Sequence, residues 1–267
     1  MKKLLNNFFD FYLQTNLHVA LAAACFYALG SIQMGFTVEI KLFTLVFTAT
    51  FLAYGFVKFH PLFRMIWSKK SAILWLWLLA GIILLTTLLT LPLRMLYLIC
   101  AVVLLTFLYA LPLFRNTLNF RNIYGLKAYL VALSWAAVSI AMPAVLHQCF
   151  QADFLLLFAQ FFLWVLVWII PFDIRDLDAD HTDLGTLPQR LGVTKTKVVG
   201  VFILLLIMLI ELLRIENDLH KSFFLIWTAT VLLLVFAPKK QSEYYSTFWV
   251  EGIPIAWFLL EKVISIK

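Results

Sequence analysis

The sequence predicts an all-α fold, a polytopic membrane helical bundle of about nine transmembrane helices, built as two four-helix repeats plus one. Three observations predict it. The chain is 64% hydrophobic and only 13% charged, with a mean hydropathy of +0.96, whereas about a quarter of the residues of a soluble domain are charged. Its apolar residues gather into runs close to the roughly 20 residues that a helix needs to cross the hydrocarbon core. Those runs are continuous, unlike the strands of a membrane barrel, which alternate apolar and polar positions over about ten residues. No Gly/Ser-rich, Pro-rich or charge-run linker divides the chain, so residues 1–267 read as a single domain.

The N-terminal stretch MKKLLNNFFDFYLQTN starts with positive charge as an export signal does. Asp10, Gln14, Asn16 and His18 interrupt the apolar core that export requires, so no cleavage is expected. Spans are then expected at 17–36, 40–59, 72–91, 94–111, 127–147, 153–171, 197–214, 222–237 and 246–262. Cys25, Cys100 and Cys149 lie in these apolar runs without C-x-x-C spacing and are assigned to packing. The five histidines, His18, His60, His147, His181 and His220, show no zinc spacing. Trp75, Trp77, Trp164, Trp168, Trp249 and Trp257 are expected at membrane interfaces and lipid-facing surfaces. Glu211, inside the seventh span, is expected to pair locally with Arg214 one turn on.

Basic residues set the orientation, because cytoplasmic loops collect Lys and Arg. One set of span ends holds Lys2, Lys3, Lys58, Arg64, Lys69, Lys70, Arg115, Arg121, Lys127, Arg175, Arg190, Lys195, Lys197, Lys239 and Lys240. The opposite set holds only Lys41, Arg94, Arg214, Lys221, Lys262 and Lys267. This predicts a cytoplasmic N-terminus, an outside C-terminus, long loops on the cytoplasmic side and residence in a bacterial inner membrane. The formal charge of +7 follows from this asymmetry, so the expected partner is a lipid bilayer and no nucleic acid is required. The two longest loops, 60–71 and 172–196, follow the second and sixth spans. Spans one to four and five to eight therefore read as parallel repeats whose loops share one cytoplasmic vestibule.

The second of those loops opens with PFDIRDLDAD, Pro171 to Asp180. On a helix, Asp173, Asp176 and Asp180 fall within about 60° of one another, while Asp178 and Arg175 point elsewhere. Pro171 suits the first position of a short new helix, whose positive end would then lie near Asp173. The plain alternative is a solvated loop that stops the sixth span. The sign of the charge argues against it, because cytoplasmic loops favour Lys and Arg. Convergent carboxylates at a membrane surface suit Mg²⁺, which takes one or two protein oxygens and completes its shell with water and phosphate. The matching ligand is a lipid-tailed diphosphate.

The segment PFDIRDLDADHTDLGTLPQRLG resembles the second aspartate-rich motif of the UbiA superfamily of intramembrane prenyltransferases, D-x-x-D-x-x-x-D followed by a Gly-Thr-Leu-Pro-type segment and Arg-Leu-Gly. YALPLFR, Tyr109 to Arg115, is similar to the family's Tyr-Ser-x-Pro-x-x-x-Lys region, and Arg115 matches its diphosphate-binding basic residue. The resemblance covers about 25 residues at the level of motif and nearly the whole chain at the level of topology. It implies a prenyl diphosphate donor, a hydrophobic acceptor, Mg²⁺ on Asp173, Asp176 and Asp180, and Tyr109 beside the substrate.

The family's first motif, N-D-x-x-D-x-x-x-D, is absent. The sequence reads AYGFVKFHPLFR there, placing Tyr54, Lys58, His60 and Arg64 at the expected position. Lys58 and Arg64 either contact the diphosphate as fixed cations, or Lys58 pairs with Asp173 or Asp176 and closes the vestibule.

The expected function is therefore Mg²⁺-dependent transfer of a prenyl group from a prenyl diphosphate to an aromatic or lipid-like acceptor. The metal and basic side chains neutralise the departing diphosphate, and the apolar cavity excludes water. The alternative is a catalytically degenerate relative that binds a lipid diphosphate or a partner without turnover. A transporter would instead place carboxylates along a path within the spans.

Overall fold

The structure, a computed structural model, describes residues 9–59, 71–110, 125–150, 152–179, 185–214, 221–242 and 244–265. Among the described residues every regular element is helical and no strand occurs. The apolar runs become α1 (Leu17–Gln33), α2 (Ile40–Phe59), α3 (Ser71–Leu88), α4 (Leu93–Ala110), α5 (Leu126–His147), α6 (Phe154–Arg175), α7 (Leu187–Arg214), α8 (Lys221–Val235) and α9 (Ile253–Ser265). Three of them, α5, α6 and α7, are long and apolar enough to cross a membrane. The surface agrees with a membrane protein, since Trp75, Tyr97, Phe202, Phe236 and Trp249 are each more than 60% exposed, an arrangement that water penalises and lipid does not.

Hydrogen bonds between helix ends hold neighbours antiparallel. Lys41 at the start of α2 donates to the Thr90 carbonyl just after α3 (2.8 Å). Arg94 at the start of α4 donates to the Leu146 carbonyl at the end of α5 (3.1 Å). Arg214 at the end of α7 meets Asp153 just before α6 at 2.8 Å, and Ser222 in α8 donates to Glu261 in α9. These basic and hydroxyl side chains supply donors to carbonyls and carboxylates at helix ends.

The core is aromatic. Phe26, Phe161, Trp164, Phe223 and Trp257 are essentially unexposed. Trp164 stacks on Trp168 at 5.5 Å and meets Trp257 edge-on at 5.4 Å, the geometries that ring quadrupoles favour. The expectation that tryptophans mark the surface thus fails for Trp164, Trp168 and Trp257, which are 0%, 6% and 1% exposed. Their large apolar area is better removed from solvent between helices than left outside. Trp75 and Trp249 do face outward. Of the cysteines assigned to packing, Cys25 is buried but Cys100 is exposed.

Helices α6, α7 and α9 depart from the expected boundaries, α9 starting at Ile253 where the span was expected from 246. Pro171 lies inside α6, not at the start of a new helix, and α6 continues to Arg175. Proline forfeits one backbone donor there, and the Pro171 carbonyl accepts a 2.8 Å bond from Gln241. Helix α7 begins at Leu187, ten residues before the expected span at 197, and bends at Gly192 (φ 77°, ψ 162°). Its start is marked by a one-sided cap in which the Thr186 N–H donates to Gln189 Oε1 at 3.1 Å, the return half of a Thr-x-x-Gln capping box, while the Thr186 hydroxyl makes no hydrogen bond among the described residues. Helix α5 contains a π-helical segment at Ala137–Ala141, and a second π segment, Tyr245–Val250, precedes α9. Such insertions re-aim the side chains that follow them.

Candidate functional site

The end of α6 carries the acidic cluster, and the helix stops sooner than a continuous acidic face requires. Asp176 caps α6, its N–H donating to the Phe172 carbonyl at 2.9 Å, and residues 176–179 form a turn. Asp173 and Asp176 are therefore brought together by the last turn of α6 and its cap, and Asp180 lies outside the described residues.

Asp173 is 5% exposed and forms an ion pair at 3.6 Å with Lys127, at the start of α5. Asp176 is gripped through both oxygens by Arg175, Nε to Oδ1 at 2.7 Å and Nη2 to Oδ2 at 2.9 Å. Arg175 also lies over the Phe172 ring at 5.1 Å. It does not point away from the cluster, because a guanidinium matches a carboxylate through two parallel donors. Asp178 is solvated, with an exposed contact to Lys239 at 3.1 Å.

Asp173 and Asp176 line a cavity of about 190 Å³ between α2, α5, α6 and the turn leading into α9. Lys127, Tyr54 and Glu251 complete its polar lining, and Val131, Trp135, Val165, Trp168, Ile169, Phe172, Val250 and Pro254 make the rest apolar. Glu251 follows the π segment of residues 245–250, which turns it toward this space. Beside it, Tyr12 and His18 are 2.9 Å apart, and His18 Nε2 lies 3.1 Å from the Phe248 carbonyl. The carbonyl only accepts, so Nε2 carries the ring proton and Nδ1 accepts from the Tyr12 hydroxyl.

Of the residues expected at the site, Asp173, Asp176 and Tyr54 share this cavity. Lys58 and Tyr109 stand in the terminal turns of α2 and α4, where side chains lie outside the described residues, as do His60, Arg64 and Arg115 altogether. The cation facing Asp173 among the described residues is Lys127, which sequence reasoning had counted only as an inside-positive charge. Glu251 was also missed. Its signal was present, since a carboxylate within FWVEGIPIAWF is as conspicuous as Glu211 in its span. Trp135 and Trp168 carry no sequence mark that separates a cavity wall from a lipid-facing surface.

Among the described residues, no group of three or more His, Cys, Asp or Glu side chains gathers closely enough to hold a metal ion. The donor chemistry nonetheless fits Mg²⁺ in part, because Asp173 and Asp176 offer hard oxygens to one cavity and Mg²⁺ needs only one or two carboxylates when phosphate supplies the remainder. At the far end of the bundle, Glu211 accepts a 2.9 Å bond from Gln160 and meets Arg214 at 3.5 Å. Arg214 also donates to Asp153 and to Gln160 Oε1 at 3.0 Å, so the expected local pair is part of a four-residue network. No family model, no curated protein and no solved structure matches this chain.

Proposed function

We propose that the chain is an intramembrane prenyltransferase of the UbiA type, transferring a prenyl group from a prenyl diphosphate to an aromatic or lipid-like acceptor. One observation carries this reading: Asp173 and Asp176 open onto the same cavity whose other walls are Trp135, Trp168, Val165 and Phe172. A polar end joined to an aromatic, water-poor interior suits a ligand with a charged head and an apolar tail. The chain would cross the bilayer nine times as two four-helix repeats plus one, with the N-terminus and this polar end cytoplasmic. The antiparallel contacts between helix ends support that path.

The described polar lining has carboxylates at Asp173, Asp176 and Glu251 against the cation Lys127, with Arg175 bound to Asp176. That balance repels a diphosphate, so the head requires an added cation. Asp173 and Asp176, with Asp180, would hold Mg²⁺, which supplies positive charge for the departing diphosphate. Lys127 positions the Asp173 carboxylate, and Arg175 fixes that of Asp176. Lys58, Arg64 and Arg115 are proposed to add charge at the same end, and Tyr54 and Tyr109 to flank the substrate. The allylic C–O bond breaks with its electron pair leaving on the diphosphate; the acceptor forms the new bond to the allylic carbon and releases a proton. The apolar walls keep water from capturing the cation.

A second reading, binding without turnover, is favoured by the Lys127–Asp173 and Arg175–Asp176 pairs, which already engage the two carboxylates, and by the absent first motif. Equilibrium binding of a prenyl diphosphate panel to the reconstituted chain, with and without Mg²⁺, tests both. Mg²⁺-dependent binding lost in Asp176→Ala, followed by product formation, supports the transferase. Binding without product from any acceptor supports the second reading, and no binding overturns both.

A further inference from the structure

Resting on that reading for the ligand's polar head, we infer that Trp135, Val165 and Trp168 close the inner end of the cavity and restrict the ligand's apolar tail to about ten carbons. The lining runs along α5 from Lys127 through Val131 to Trp135, and along α6 from Asp173 through Ile169 to Val165. Eight residues at 1.5 Å each give a depth of about 12 Å on both walls. Beyond that depth stand buried rings. Phe26, Phe161 and Trp164 are each 0% exposed, and the Phe26 ring lies 5.1 Å from Trp168, 6.1 Å from Trp135 and 4.4 Å from Phe161.

Trp168 is held from two sides, stacked on Trp164 at 5.5 Å and donating from Nε1 to Thr230 Oγ1 at 3.5 Å. The cavity volume of about 190 Å³ leaves room for a short apolar tail, and the depth sets its length. A five-carbon tail fits, a ten-carbon tail reaches the floor, and fifteen or twenty carbons must push Trp168 into a core packed without room for it. The site therefore takes short-chain donors and excludes polyprenyl ones.

The test uses the full chain in nanodiscs and two ligand series of five, ten, fifteen and twenty carbons: prenyl diphosphates with Mg²⁺, and the corresponding prenyl alcohols, which lack the charged head. Affinity is expected to hold or rise from five to ten carbons and to fall at least tenfold at fifteen and twenty. Trp168→Ala removes the floor and should raise twenty-carbon affinity at least tenfold. Val131→Trp fills the cavity from α5 and should weaken ten-carbon binding tenfold while five-carbon binding persists, so the two variants move the cut-off in opposite directions. A cut-off in the alcohol series alone keeps the floor and removes the diphosphate reading. Equal affinity for ten- and twenty-carbon tails in both series, a cut-off that neither variant moves, or no binding of any member overturns the floor.

Discussion

Lys127 Nζ stands 3.6 Å from Asp173 Oδ1 and joins the first turn of α5 to the last turn of α6, with both side chains largely withdrawn from solvent. A pair so placed ties two helices together at the polar end of the cavity. Removing one member leaves a desolvated charge without that compensation. Lys127→Met should therefore lower stability by about 1–3 kcal/mol, discounted because the lysine keeps some exposure. Asp173→Asn should cost less stability but weaken Mg²⁺-dependent prenyl diphosphate binding at least tenfold. Thermal unfolding in detergent and equilibrium binding separate the two effects.

At the opposite end, Arg214 serves Asp153, Gln160 and Glu211 together. Its replacement by Met should destabilise by about 3–5 kcal/mol, because Glu211 and Gln160 remain buried. Adding Glu211→Gln should restore part of the loss, giving a favourable coupling in a double-mutant cycle. Ligand affinity at the cavity should stay within twofold, since no residue of this network lines it.

Helices α1 and α5 cross at Gly30, where an added Cβ would overlap the Ser139 carbonyl oxygen in the π-helical segment of α5. Backbone does not yield as a flexible side chain does. Gly30→Ala should cost at least about 1–3 kcal/mol. Gly81 in α3 meets nothing within 4 Å, so Gly81→Ala should be neutral or stabilise by up to about 1 kcal/mol through helix propensity. Opposite signs in paired melting curves check the crossing; equal shifts would remove it.

The proposed orientation places Ser242, between α8 and α9, on the cytoplasmic side and Thr90, between α3 and α4, outside. Both are exposed. In a background lacking Cys25, Cys100 and Cys149, Thr90→Cys should react with an impermeant maleimide added to intact cells, and Ser242→Cys only after lysis. Reversal of that pattern inverts the topology.

The acidic segment illustrates how far local pattern carries. That Asp173 and Asp176 belong together was legible from their spacing, and the cavity they share agrees. The end of α6 was not, because the cap at Asp176 and the turn over 176–179 follow directly on an apolar helix that carries Pro171 inside it. The Thr-x-x-Gln pattern at Thr186 and Gln189, of which the Gln189 half forms, was readable from the residues and would have moved the start of α7 from 197 to 187. Local hydrogen-bond chemistry of this kind depends only on neighbours in sequence.

By itself the sequence determined an all-helical, membrane-type chain, because hydropathy and helix periodicity are sums over adjacent residues that no long-range contact has to complete. Tertiary structure alone decided that Lys127 faces Asp173, that Glu251 turns toward the same cavity after a π segment, and that Trp135 and Trp168 wall it while Trp75 faces outward. In a chain where apolar residues cover every face of a helix, composition no longer distinguishes inside from outside. Which face packs is then settled by the shapes and close approaches of neighbouring helices, and those exist only once the bundle has formed.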